Sequence, residues 1–323
     1  MIKIEGLRKE YKNGSLVALD NLHLQIEQGT VFGFIGPNGA GKSTTMLILA
    51  TLLTPTSGHA EIGGFHVVKQ GDQVRRLIGY MPDFFGVYDN LTAYEYLEFY
   101  ASCYGVDKEI QQRVITDLLE LVNLIDKRQQ PVDGLSRGMK QRLGLARSLV
   151  HDPAVLILDE PASGLDPRAR IEFREVLKEL RSMGKTIMIS SHILPELADL
   201  CDTIGVMEHG KLIASGPVDQ LIQKPKEERL LELRLLADQQ IEEVKELLQA
   251  DPNVQSVEED QEQLLIQMVG NEQQQADILM NLITKEIKVV HFAEVSVNIE
   301  DVFLQVTEQR EEANVNEHSN ETI

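Results

Sequence analysis

Residues Gly36-Pro37-Asn38-Gly39-Ala40-Gly41-Lys42-Ser43 fit the pattern G-x-x-x-x-G-K-[ST]. Such a run does phosphate chemistry. Its glycines let backbone N–H groups wrap a polyphosphate with no side chain in the way. Lys42 would set a positive charge on the β- and γ-phosphates, and Ser43 would give its hydroxyl to Mg²⁺. A second group lies downstream, where the apolar run Leu156-Ile157-Leu158 ends in Asp159-Glu160. Asp159 can hold Mg²⁺ opposite Ser43, directly or through water. Glu160, one residue further on, could accept a proton from an attacking water. The bland alternative is two solvent-facing carboxylates closing a strand. A third group, Leu135-Ser136-Arg137-Gly138-Met139, reads as a helix N-cap. A serine hydroxyl, a glycine N–H and a helix N-terminus meeting there also make a second anion site. One phosphate loop beside a second phosphate site implies that two chains share each nucleotide.

These groups need a scaffold. Thr30 to Ile35 reads as a buried strand before the loop, and Thr44 to Leu53 as the helix after it. Ala154 to Leu158 is a continuous apolar run suited to a parallel strand buried on both faces. A helix from Ala169 to Met183 and a strand from Thr186 to Ser190 follow it. Ile2 to Leu24 reads as short strands with a turn at Asn13-Gly14, and Gly58 to Val68 as another strand pair. From Phe84 to Val150 the pattern is helical, over Ala93–Tyr104, Lys108–Leu121 and Met139–Val150. Strand–helix alternation of this kind predicts an α/β layer with a parallel sheet. Pro217 to Glu228 is a charged connector. Beyond it the periodicity reads strand (Leu230–Leu236), helix (Gln239–Gln249), strand (Val254–Glu258), strand (Gln263–Val269), helix (Gln273–Lys285), strand (Val289–Val297). That βαββαβ order is the split, ferredoxin-like α+β arrangement. A short helix is expected over Ile299–Val306, and a polar, disordered tail from Glu308 to Ile323.

The chain has 323 residues, 42% of them hydrophobic, and a net charge of −20. From Lys226 to the end there are 23 acidic and 7 basic residues, so most of that charge sits in the last third. Such a balance argues against nucleic acid as the main partner, because phosphate binding needs clustered Lys and Arg. It also argues against that segment lying on an anionic lipid surface. The apolar run Met46–Leu53 is far short of the roughly 20 residues a membrane span needs, and the start lacks a signal pattern. The expected setting is therefore soluble and cytoplasmic. Cys103 and Cys201 have no metal spacing, and the eight His residues show no i, i+4 pair.

Taken in order, these motifs make Ile2 to about Leu221 resemble the nucleotide-binding subunit of an ATP-binding cassette (ABC) transporter. The resemblance implies a P-loop NTPase cassette: a parallel-sheet core, an antiparallel β subdomain and a helical subdomain. The cassette would occupy 1–222, with its helical subdomain at about 84–150. The βαββαβ extension would occupy 226–306, and an acidic tail 307–323. By resemblance, Gly36 to Thr44 is the Walker A loop, so Pro37, Asn38, Gly39, Ala40 and Thr44 join Gly36, Gly41, Lys42 and Ser43 around ATP. Val155 to Glu160 is Walker B. Leu135 to Met139 is the signature loop, whose Ser136 and Gly138 bind the γ-phosphate held by the opposite subunit. Ser163-Gly164-Leu165-Asp166 resembles the D-loop. His192 resembles the switch histidine, and Tyr11 the aromatic that stacks on adenine. Tyr11 covering a sheet edge and His192 capping a strand are the simpler alternatives.

Two positions depart from the family pattern. Asp83 stands where the family usually has Gln. It keeps oxygen ligands for Mg²⁺ but is shorter and charged, so the metal contact carries over more readily than the coupling geometry. Arg137 and Met139 replace the commoner Gly and Gln. Gly138-Met139-Lys140-Gln141-Arg142, and the ending Ser296 to Leu304, are similar to the branch that serves ABC-2-type export permeases for drugs, lipids and polysaccharides. The resemblance thus implies a homodimer around two ATP and Mg²⁺, powering a separate integral membrane permease from the inner face of the cell membrane. The competing expectation is a soluble ABC-type ATPase acting on nucleic acid or ribosomes.

Overall fold

The structure, a computed structural model, describes residues 1–83, 86, 90–191, 197, 199–218, 220, 228–236, 241–260 and 263–294. His192, the expected helix at 299–306 and the tail 307–323 lie outside them. The chain divides into two compact units, Met1–Val218 and Asp219–Ile323.

The first unit runs β1 (Ile2–Tyr11), β2 (Leu16–Ile26), β3 (Val31–Ile35), α1 (Lys42–Leu49), β4 (Ser57–Ile62), β5 (Phe65–His66), α2 (Gly71–Leu77), β6 (Ile78–Met81), α3 (Ala93–Cys103), α4 (Lys108–Leu121), α5 (Arg137–Leu149), β7 (Val155–Leu158), α6 (Pro167–Ser182), β8 (Thr186–Ser191), β9 (Thr203–Glu208) and β10 (Lys211–Pro217). The six-stranded sheet has the order β10-β9-β3-β8-β7-β6. β3, β6, β7, β8 and β9 pair in parallel, and β10 closes one edge antiparallel to β9. Strands β3, β7 and β8 are buried along their whole length, as continuous apolar runs between two covered faces must be.

A four-stranded antiparallel sheet, β2-β1-β4-β5, alternates instead. Ile2, Ile4, Leu22, Leu24 and Ile26 face inward and join Phe32, Phe34, Met46 and Ile48 in one core. Each such side chain contributes about 1.5–3 kcal/mol when fully buried. The strands here are long and bulged rather than short, with a 3₁₀ turn at Lys12–Gly14 between them. Helix starts are set by side chains. Thr92 and Glu95 form a capping box on α3, Asp107 caps α4, and Asp166 caps α6 with Pro167 as its first residue.

The second unit runs β11 (Glu228–Leu235), α7 (Ile241–Gln249), β12 (Val254–Asp260), β13 (Gln263–Val269), α8 (Glu272–Thr284) and β14 (Val289–Glu294). Its antiparallel sheet has the order β12-β13-β11-β14, the ferredoxin-like arrangement. It has a core of its own, in which Leu231, Leu233, Leu264 and Ile266 meet Val244, Leu248, Ile278 and Leu282 from the helices. Among the described residues no helix is long and apolar enough to cross a membrane.

Candidate functional site

The loop between β3 and α1 is shaped by close backbone approaches. Gly41 has φ 107°, and a Cβ placed there would lie 2.6 Å from the Ala18 carbonyl oxygen, so no other residue type fits without movement. Gly41 offers no side chain to cap α1, which leaves the first N–H groups of that helix facing the loop. Thr45 fastens the turn by donating its Oγ1 to the Gly41 carbonyl at 3.0 Å. Lys42 is buried, and its Nζ donates to the carbonyls of Gly36 at 2.6 Å and Pro37 at 3.2 Å. Pro37, Asn38, Gly39 and Ser43 are exposed, while Thr44 is half-buried. A cleft of about 390 Å³ opens here, lined by the run Asn38 to Thr44 together with Tyr11, Ala18, Asp83 and Glu160.

The acidic pair ends β7, and Glu160 reaches this cleft while Asp159 is buried behind it. Asp159 is buried, and its amide donates to the Met81 carbonyl at 2.9 Å, tying it to the end of β6. Ser190 on β8 donates its hydroxyl to Asp159 Oδ1 at 2.6 Å, and Ser190 Oγ in turn accepts the amide of Glu160 at 2.9 Å. Glu160 sits at φ 47°, a left-handed conformation that non-glycine residues adopt at a cost of about 1–3 kcal/mol. Its Oε1 lies 3.7 Å from Lys42 Nζ. Burial holds the Lys42 ammonium below the ordinary lysine range, and the charges of Glu160 and Asp159 oppose that shift. Burial and the nearby Asp159 charge push the Tyr80 hydroxyl up to about 12. Strand β6 is tied to the helices as well: Arg147 of α5 donates to the Tyr80 carbonyl at 3.4 Å and lies 5.2 Å from the ring centre of Tyr100 on α3.

The residues present fit a magnesium nucleotide. The loop is a cradle that a Cβ at Gly41 would obstruct. The hard donors beside it are a serine hydroxyl and carboxylates, a set suited to Mg²⁺ that keeps phosphate and water ligands. Among the described residues no three or more His, Cys, Asp or Glu converge as a metal cage.

The structure thus brings Tyr11, the phosphate loop, Asp83, Asp159 and Glu160 to one place. Ser136 and Gly138 are not among the described residues that line the cleft. Ser136 caps α5 instead, accepting from the Met139 amide at 3.3 Å, and is exposed. Tyr11 ends β1 with Lys9 Nζ 5.1 Å from its ring centre. Sequence reasoning passed over Ser190; a serine closing an apolar strand against two acids downstream of a phosphate loop was the available signal.

Comparison with known proteins bears on this geometry. The family model for the ABC transporter matches residues 19–163, and that for the C-terminal domain of DrrA1-3-like ATP-binding proteins matches residues 216–307. The bacitracin transport ATP-binding protein BcrA of Bacillus licheniformis is 42% identical over 236 residues, covering 73% of this chain and 75% of the relative. The probable multidrug ABC transporter ATP-binding protein YbhF of Escherichia coli (strain K12) is 40% identical over 218 residues. That match covers 68% of this chain but only 38% of the length of YbhF. The solved dimeric structure of the ATP-binding cassette MJ0796, in a post-hydrolysis state bound to ADP and Pi, superposes with a TM-score of 0.62 and 26% identity. It covers 68% of this chain and 99% of that one.

Proposed function

We propose that this chain, which belongs to the ATP-binding proteins of ABC transporters, hydrolyses ATP as a homodimer and powers a separate membrane permease of the ABC-2 export type. One observation carries the reading. The phosphate-loop lysine and Glu160 share a cleft, with Lys42 Nζ 3.7 Å from Glu160 Oε1, while Ser136 and Gly138 stand elsewhere in the fold. A second phosphate-binding group outside the cleft gains a task if it completes the cleft of a second copy.

In that assembly the backbone of Gly36 to Gly41 wraps the phosphates and Lys42 neutralises charge on them. Tyr11, at the cleft wall, stacks on the base. Ser43, Asp159 and Asp83 would hold Mg²⁺, Thr44 would join the phosphate contacts, and the ion would supply charge neutralisation on the phosphates. Glu160 orients the attacking water and takes its proton. Ser136 and Gly138 of the other copy complete the donors around the γ-phosphate. Positioning and charge stabilisation supply most of the rate in such a reaction. His192, proposed as a γ-phosphate contact, lies outside the described residues. The tie from Tyr80 through Arg147 to α3 offers a route from the cleft to a docked permease. The relatives' roles, bacitracin transport and probable multidrug transport, support a drug-exporting permease as the partner.

The test is Glu160→Gln in the full chain. It retains ATP, accumulates as a dimer on size exclusion with ATP and Mg²⁺, and turns over about 10²–10⁴-fold more slowly, the usual loss for a general base. A variant that hydrolyses ATP at the parent rate removes Glu160 from the chemistry. Recovery of the chain with ribosomes, and with no integral membrane protein, would favour the soluble alternative.

A further inference from the structure

The geometry points to Arg137 as a positioning residue, locking the Ser136–Gly138 turn to the Ser163–Asp166 loop so that both meet a nucleotide as one rigid unit. This rests on the dimeric reading above. Arg137 is the first residue of α5, directly after the cap Ser136. A Cβ placed on Gly164 would lie 2.4 Å from Arg137 Cζ, 2.5 Å from Nη1 and 2.6 Å from Nη2. Near-equal distances to three atoms of a planar group mean that the guanidinium faces the place a Gly164 side chain would take. Gly164, at φ 66°, has no side chain to keep the flat cation away.

A second contact holds the same turn. A Cβ on Gly138 would lie 2.9 Å from Ala169 Cβ and 3.9 Å from Leu165 Cδ2. The loop it leans on is itself fixed, because Leu165 is buried and Asp166 Oδ1 accepts the Ala169 amide at 3.0 Å. Two loops, each fastened to the start of its own helix, are thus joined at two points. Arg137 is exposed and, among the described residues, makes no ion pair with a carboxylate, so the contact with Gly164 is what ties its side chain to the loop. The fit matters because Ser136 and Gly138 have to present their donors to phosphate oxygens, and a misplacement of about 1 Å can cost on the order of 10²-fold in rate.

The experiment measures ATPase kcat and KM in the full chain for Arg137→Ala, Arg137→Lys, Gly164→Ala and the Arg137→Ala/Gly164→Ala double variant, with urea unfolding of each and Ser136→Ala as reference. Arg137→Ala is expected to lower kcat about tenfold or more while leaving KM for ATP within about twofold, since the turn lies outside its own chain's cleft. Arg137→Lys keeps the charge but not the flat group and should not recover the rate. Gly164→Ala displaces the guanidinium and should give the same loss. With Arg137 already removed the added methyl finds room and only the strain of φ 66° remains, so the double variant should lose clearly less than the product of the two single losses. Full recovery by Lys, or losses that multiply in the double variant, overturns the proposal. A drop with Ser136→Ala but none with Arg137→Ala sinks the Arg137 role alone. A parent rate with Ser136→Ala sinks the dimeric reading as well.

Discussion

Ser190 and Asp159 are joined by a 2.6 Å hydrogen bond, and the same hydroxyl accepts the Glu160 amide at 2.9 Å. One buried oxygen on β8 therefore orients both acids at the end of β7. The amide it holds belongs to a residue in a left-handed conformation, φ 47°, which its surroundings have to enforce.

Ser190→Ala should accordingly act on stability and on rate together. It leaves a buried carboxylate oxygen and a buried amide without their partner, a cost of about 1–3 kcal/mol. Relaxation of Glu160 then displaces its carboxylate, and kcat should fall about 10- to 100-fold with ATP affinity little changed. Urea denaturation and steady-state phosphate release check the two effects separately. A variant as stable and as fast as the parent would show that the backbone holds Glu160 without help.

Burial lowers the Lys42 pKa from its ordinary value of 10.5. Binding of a triphosphate requires the ammonium form. Above the depressed pKa the protein must first take up a proton, so ATP affinity should decline as pH rises, starting at a lower pH than an ordinary lysine would set. Below that pKa no such penalty exists. Lys42→Arg, whose guanidinium stays charged, should lack the alkaline decline whatever its affinity at neutral pH. Titration with a fluorescent ATP analogue from pH 7 to 10 reads the difference; identical slopes in both proteins would remove Lys42 as the titrating group.

His151, just beyond α5, predicts an acid sensitivity away from the cleft. One ring nitrogen bonds the Ile78 carbonyl at 2.9 Å, and the ring stacks on Tyr104 with centres 3.8 Å apart and planes 3° from parallel. Burial lowers its pKa below 6.5, helped by Lys185 and opposed by the Ile78 bond and Asp152. The unfolded chain then binds the proton more tightly than the folded one. The stability tied to neutral His151 is present above pH 6.5 and is lost as pH falls through 6.5 towards the folded value. His151→Phe keeps a ring against Tyr104 but drops the hydrogen bond, costing about 1 kcal/mol at pH 7. Its unfolding free energy should fall less steeply between pH 7 and 5 than that of the parent. Parallel curves would show that other groups dominate the acid limb.

The motif residues were legible because their chemistry demands particular types at fixed offsets, and the structure places them on the β3–α1 loop and at the end of β7. Other features were not. α2 and β6 are too short to show a period. The hairpin of β9 and β10 went unread because its turn is His209-Gly210 rather than Asn-Gly or Asp-Gly, although His209 takes the left-handed φ of 45° that such a turn requires. The helix expected to reach Leu53 ends at Leu49, because Thr51 turns to φ 64° while Leu52 and Leu53 still donate their amides to the Leu47 carbonyl. Apolarity alone could not distinguish that wrap from a further helical turn. Ser190 was invisible for another reason: a buried hydroxyl looks the same in sequence whether it organises a site or only satisfies itself.

β8 lies between β3 and β7, aligned Phe34 to Ser190 on one side and Leu158 to Ile189 on the other. Side chains alternate along a strand, so loss or gain of a single residue within β8 would turn every later one over. After an insertion Ile189 would stand against the two acids and Ser190 would point away from them. Apart from Ser190, whose hydroxyl holds both acids, point substitutions in this segment can be absorbed by repacking, whereas an insertion cannot. The register of β8, as much as the serine at its end, is what a functioning copy of this chain has to preserve.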